Sequence, residues 1–187
     1  MKIPVQKCAV PANTMLENYS TKGAYVDCYQ TEVPGPVSFS EFIFAFYTTP
    51  LFKLERFILK LTVAKPSTDL QARQLADGSR NEFAAWHVEN RNENELLMCD
   101  FRGHTRSWLM VDPIDIDSVP QTDLYFGSAV APVQKSKLGE PSLGRGYQAL
   151  LGFHKVYSVL LLYSSELQIR RSLRKSPNRN NPHKMEI

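Results

Sequence analysis

Apolar and polar positions change their period three times along the chain. From Tyr25 to Val33 they alternate, with Tyr25, Asp27, Tyr29, Thr31 and Val33 on one side and Val26, Cys28, Gln30 and Glu32 on the other. The aromatic and β-branched enrichment of that stretch predicts a strand, which Pro34-Gly35-Pro36 ends. Ser38 and Glu41 then have the S-x-x-E spacing of a capping box, in which each side chain satisfies a free backbone N–H. Phe39, Phe42, Ile43 and Phe46 recur at three- and four-residue steps, so a helix should start there. Thr49-Pro50 reads as the N-cap and first-turn proline of a second helix, with Leu51, Leu54, Phe57, Ile58 and Leu61 on its apolar stripe. Thr62 to Arg80 is loop-like, with room for a short helix from Asp69 to Ala76. Ahead of all this, Pro4, Pro11, Asn13, Asn18 and Gly23 break the first 24 residues into an extended, packed arm.

The period then becomes two and stays there through Phe83 to Glu89, Glu95 to Phe101, His104 to Asp112 and Leu124 to Ala131. The short polar links at Asn90–Asn94 and Arg102-Gly103 suit hairpins, so the meander is antiparallel. Pro113 to Gln121, with two prolines and the acids Asp115 and Asp117, reads as an exposed excursion. From Gly144 to about Arg174 the helical period returns, with Tyr147, Leu150, Leu151, His154, Val156, Tyr157, Leu160, Leu161 and Leu167 on a broad apolar face. Strand, two short helices, antiparallel strands and one long helix make an α+β chain without βαβ alternation, which excludes a doubly wound fold. Residues 1–175 read as a single domain and 176–187 as a basic, disordered tail.

Composition narrows the function classes. The 187 residues are 43% hydrophobic and 22% charged, ordinary globular usage, and the formal net charge is only +3. Gln168 to Ile187 carries net +5, so the basicity belongs to the tail and predicts no nucleic-acid partner. Those cations either attract anionic lipid or nucleic acid weakly or, as is expected, serve solubility and complement the dipole of the preceding helix. Three cysteines, Cys8, Cys28 and Cys99, with no CxxC pair, suggest neither a disulfide framework nor zinc, and favour a reducing, cytoplasmic setting. No secretory leader is expected, and the longest apolar run, Val159 to Tyr163, is far too short to insert stably in a bilayer.

The element order, together with the strings Asp100-Phe-Arg-Gly-His-Thr-Arg-Ser-Trp-Leu109, Phe126-Gly-Ser-Ala-Val130 and Phe153-His-Lys-Val-Tyr-Ser158, resembles the START and polyketide-cyclase (SRPBCC, helix-grip) superfamily, and bacterial proteins within it. The resemblance implies a helix-grip fold, a curved antiparallel sheet wrapped around a long C-terminal helix with two short helices after the first strand. It implies a cavity for an apolar or amphipathic ligand, in a superfamily that hosts transport, sensing, cyclase and dehydratase roles alike. Such proteins show six or seven strands against the five or six counted here, and the lead-in around Val5 to Val10 is the candidate for another.

Several side chains could carry chemistry in such a cavity. Asp100, Arg102, His104 and Arg106 alternate around Gly103, where a hairpin would gather them, and the fork of Arg106 suits a carboxylate or phosphate. The competing reading is a wet hairpin rim with an exposed ion pair. Arg106, Trp108 and Met110 share one strand face; Ser107, Leu109 and Val111 share the other. His154, in the long helix with Tyr157 and Ser158 nearby, is either a general acid or base, with Asp100 as another proton carrier, or a core histidine with a satisfied hydrogen bond. Trp86, Trp108, Tyr125 and Phe126 either wall a cavity or form the core. His87 and Glu89 share a face without a third ligand, so no metal or other cofactor is expected. Asp112, Asp115 and Asp117 lack the glycine and glutamate of an EF-hand, and Cys28 and Cys99 read as small buried hydrophobes. The leading expectation is a protein that binds a small apolar or amphipathic molecule, with Arg106, His104 and His154 at its polar end and Trp86, Trp108, Phe126 and Tyr157 around it. A cyclase, dehydratase or isomerase using His154 or Asp100, a subunit that docks a protein partner, and a homodimer stay open.

Overall fold

The computed structural model describes residues 4–63, 66–116, 118–130 and 145–175, without the side chains of 59–63 and 145–154. In chain order the elements are β1 (Gln6–Lys7), α1 (Glu17–Thr21), β2 (Tyr25–Pro34), α2 (Phe39–Tyr47), α3 (Pro50–Val63), α4 (Asp69–Ala76), β3 (Glu82–Phe83), β4 (Trp86–Arg91), β5 (Glu95–Asp100), β6 (Thr105–Ile116), β7 (Val119–Val130) and α5 (Arg145–Lys175). The strands form one curved, open, seven-stranded antiparallel sheet in the order β1-β2-β7-β6-β5-β4-β3. The lead-in supplies β1, as its position between Val5 and Val10 suggests.

Local chemistry accounts for most boundaries. Ser38 and Glu41 close the expected capping box on α2, and Thr68 and Gln71 close a second one on α4. Ala84, at φ 52°, breaks the anticipated Phe83–Glu89 strand into β3 and β4. Pro113 to Gln121 is not an excursion: it prolongs the β6–β7 hairpin to the pair Ile116↔Val119. Beyond Met110, β6 has no partner in β5, so Pro113 lies where a missing N–H costs no ladder bond. The arm holds α1, a helix of one turn that is too short to leave a periodic signature.

Both faces of the sheet are covered. On the inner face, Tyr29, Val33, Leu96, Met98, Leu109, Val111, Leu124 and Phe126 meet α2, α3, α4 and α5 in the main core. On the outer face, the arm lays Leu16, Cys8, Val10, Met15 and Tyr19 over Cys28, Leu97, Trp108, Met110, Tyr125 and Ala129. Glu95 ties the arm down, its Oε2 accepting from the Met15 N–H at 2.8 Å and from Trp108 Nε1 at 2.8 Å. α5 is fixed on β2 by Glu166, which accepts from Thr31 Oγ1 (3.0 Å) and Arg170 Nε (2.7 Å), while Arg170 also reaches the Glu32 carbonyl.

α3 is rotated from its expected orientation. Leu54, Phe57 and Ile58 are 50–57% exposed, whereas Phe52 and Arg56 are buried. Arg56 donates to Ser67 Oγ (2.9 Å), the Ser67 carbonyl and Asp69 Oδ1 (2.6 Å), and lies over the Phe83 ring. That network turns the polar side of α3 inward and its apolar stripe outward.

Candidate functional site

The inner face carries a polar row near one end of β2, β7 and β6. Register places Asp27 of β2 opposite Ser128 of β7, and Ser128 opposite Ser107 of β6. Because strand side chains alternate, all three face the helices. Ser128 Oγ donates to Asp27 Oδ1 at 2.5 Å. Tyr47, at the end of α2, brings its hydroxyl beside Ser107, and burial pushes that hydroxyl's pKa upward while Ser107 opposes the shift. All four side chains are buried. Tyr29, one alternation along β2, is pushed up to about 12 by burial and by the Asp27 charge.

Aromatic rings frame this row. Tyr47 packs 4.9 Å from Phe52 and 5.2 Å from Phe83, and Phe46 packs 4.8 Å from Phe126, all between ring centroids. Trp86 packs on the same core. Beside it, α3 and α5 contribute Glu55 and Tyr157, whose hydroxyl donates to the Glu55 carboxylate. Burial pushes the Glu55 carboxyl upward against that hydrogen bond, and burial with the Glu55 charge raises Tyr157 in turn. A carboxyl so placed keeps its proton to higher pH than an exposed one, and can lend it to a neighbouring oxygen.

The sequence-derived residues divide among three places. Phe126, Trp86 and Tyr157 belong to the inner side. Arg106 and Trp108 lie on the outer face under the arm, a correction to their grouping with the long helix. Arg106 Nε donates to Glu89 Oε2 (2.9 Å) and Tyr19 Oη (3.0 Å), and Trp108 is fully buried against Leu16 and Tyr125. Strand parity separates Arg106 from Ser107 but does not say which face the helix covers, and the arm makes both faces apolar. Asp100 and His104 stay at the β5–β6 turn: Asp100 Oδ1 accepts from the His104 N–H at 2.7 Å and the Thr105 N–H at 3.3 Å, and His104 is exposed. His154 falls within α5, with its side chain outside the described residues. His87 sits on β4 with the outward Glu89, and among the described residues no group of three or more His, Cys, Asp and Glu could hold a metal ion. Cys28 and Cys99 are buried, as small hydrophobes would be. Asp117 and the tail beyond Lys175 lie outside the described residues.

Asp27, Ser107, Ser128, Tyr47 and Glu55 were not singled out by the sequence. Asp27 left a signal, an acid among Tyr25, Tyr29, Thr31 and Val33 on one strand side. Glu55 left none, since it falls off the apolar stripe of α3. No family model matches the chain, and no curated protein matches it significantly.

Proposed function

We propose that the chain is a START-like, helix-grip protein that binds a small apolar or amphipathic molecule between the inner face of the sheet and α5. The polar end of the ligand lies at the Asp27–Ser128–Ser107–Tyr47 row, and its apolar part lies among Phe46, Phe83, Phe126 and Trp86. The observation that carries this reading is the row itself: four polar side chains buried in an aromatic wall. A ligand oxygen can join such a row as a further hydrogen-bond partner, while the surrounding rings supply apolar contact. The exposed apolar side chains of Leu54 and Phe57, next to the half-buried Glu55, support an amphipathic partner.

The test is native mass spectrometry of the purified chain, followed by denaturing extraction of any small molecule. A stoichiometric ligand is expected. Ser107→Ala and Ser128→Ala should each weaken its binding roughly 5- to 10-fold, the worth of about one hydrogen bond, while Arg106→Ala should leave it unchanged. An empty protein that also fails to take up a solvatochromic apolar dye would sink the reading. The raised pKa of Glu55 favours a second one, proton transfer to a bound carbonyl compound. There, Glu55→Gln would abolish turnover of the extracted ligand while leaving its binding intact.

A further inference from the structure

We propose that Cys8 and Cys28 form a reversible disulfide that fastens the N-terminal arm to the sheet. The β1–β2 register pairs Gln6 with Gln30 and Lys7 with Tyr29, so Cys8 stands opposite Cys28. The Cys8 N–H donates to the Cys28 carbonyl at 3.0 Å, which continues the ladder by one residue. The two free thiols lie with their Sγ atoms 3.2 Å apart. Directly opposed antiparallel residues have Cα atoms about 4.5–5.5 Å apart, inside the roughly 4.4–6.8 Å span that a disulfide bridges. Bond formation therefore needs a side-chain adjustment of about 1 Å and no strand movement.

The pair is asymmetric. Cys8 is half-buried and open to a small reagent; Cys28 is buried beneath it. The Cys28 S–H can donate to an ionised Cys8, which holds the Cys8 thiol below its usual range, and the same contact pushes Cys28 up. Cys8 is thus the attacking sulfur and Cys28 the resolving one. The Cys8 thiolate attacks a low-molecular-weight disulfide such as oxidised glutathione, forming a mixed disulfide and releasing one thiolate. That thiolate takes the proton of Cys28, whose sulfur then attacks Cys8 Sγ and expels the second thiolate, which is protonated by water. Two protein thiols are oxidised to one disulfide while the small disulfide is reduced to two thiols. The bond closes the loop from residue 8 to residue 28 around α1, and holds Leu16 and Tyr19 over the outer core.

The full chain is equilibrated across a series of oxidised-to-reduced glutathione ratios, quenched by alkylation in denaturant, and analysed by intact mass and tryptic mapping. The expected product is about 2 Da lighter before alkylation. It takes one alkyl group where the reduced chain, with its three cysteines, takes three. Its peptides 8–22 and 23–53 are joined, and reductant separates them. Cys99→Ala should behave as the unaltered chain does, and Cys8→Ser should give no lighter species. Three alkylations at the most oxidising ratio, a persistent glutathione adduct on Cys8, or a bridge that includes Cys99 would each overturn the proposal, and none of these readings depends on a variant that folds.

Discussion

Gly127 marks where the arm, β2 and β6 crowd one point of β7. A Cβ there would stand 2.4 Å from Leu16 Cδ2, 2.9 Å from the Asp27 carbonyl oxygen and 3.1 Å from Trp108 Cε3. Leu16 can swing away, but the Asp27 carbonyl belongs to the β2 backbone and cannot. Gly127→Ala should therefore destabilise the fold by about 1–3 kcal/mol in denaturant titration, and Leu16→Ala should not restore it. Glu55 gives a pH-dependent prediction. Its carboxyl is raised in the folded chain and ordinary in the unfolded one, so between those two values the folded state binds more protons. Stability is then highest below the unfolded value and falls as pH rises through the folded one. Glu55→Gln should remove that fall from urea unfolding measured between about pH 4 and 8; an unchanged slope would mean that Glu55 does not carry the proton. Legibility at this scale stops at pairing. Asp27 is visible as an acid on an apolar strand side, but Ser107 and Ser128 become its neighbours only through a register that no local pattern encodes.

Elements with their own chemistry were read well. The capping box placed α2, Thr49-Pro50 placed α3, and alternation placed β2 and most of the meander. The orientation of α3 was not legible, because period alone assumes that apolar residues win the inward side. Here Arg56 wins it, through three hydrogen bonds to Ser67 and Asp69. Burial pushes the Asp69 carboxyl up, yet the hydrogen bonds from Lys53 and Arg56 bring it below its usual range. Arg56→Ala should cost about 2–3 kcal/mol, the loss of charged hydrogen bonds at a buried site. Lys53→Ala, whose partner contact is exposed, should cost less than about 1 kcal/mol. Thermal or urea unfolding of the two variants separates these outcomes, and equal losses would deny Arg56 its part in turning the helix.

Over the whole molecule, antiparallel order and the absence of βαβ alternation were enough to fix the α+β class. They did not show that the arm buries the second face, and that is why Arg106 and Trp108 were grouped with the helix although parity had already separated them from Ser107. The sheet also imposes an order in time. β2 is joined to β7 along ten registered pairs, from Tyr25↔Val130 to Pro34↔Gln121. Synthesis from the N-terminus delivers β2 about 100 residues before the end of its partner, a wait of roughly 5–20 seconds at ordinary elongation rates. Helical turns form in about a microsecond, but α5, the helix that packs on β2, is made only after β7. The first long strand to leave the ribosome is one of the last to be sealed.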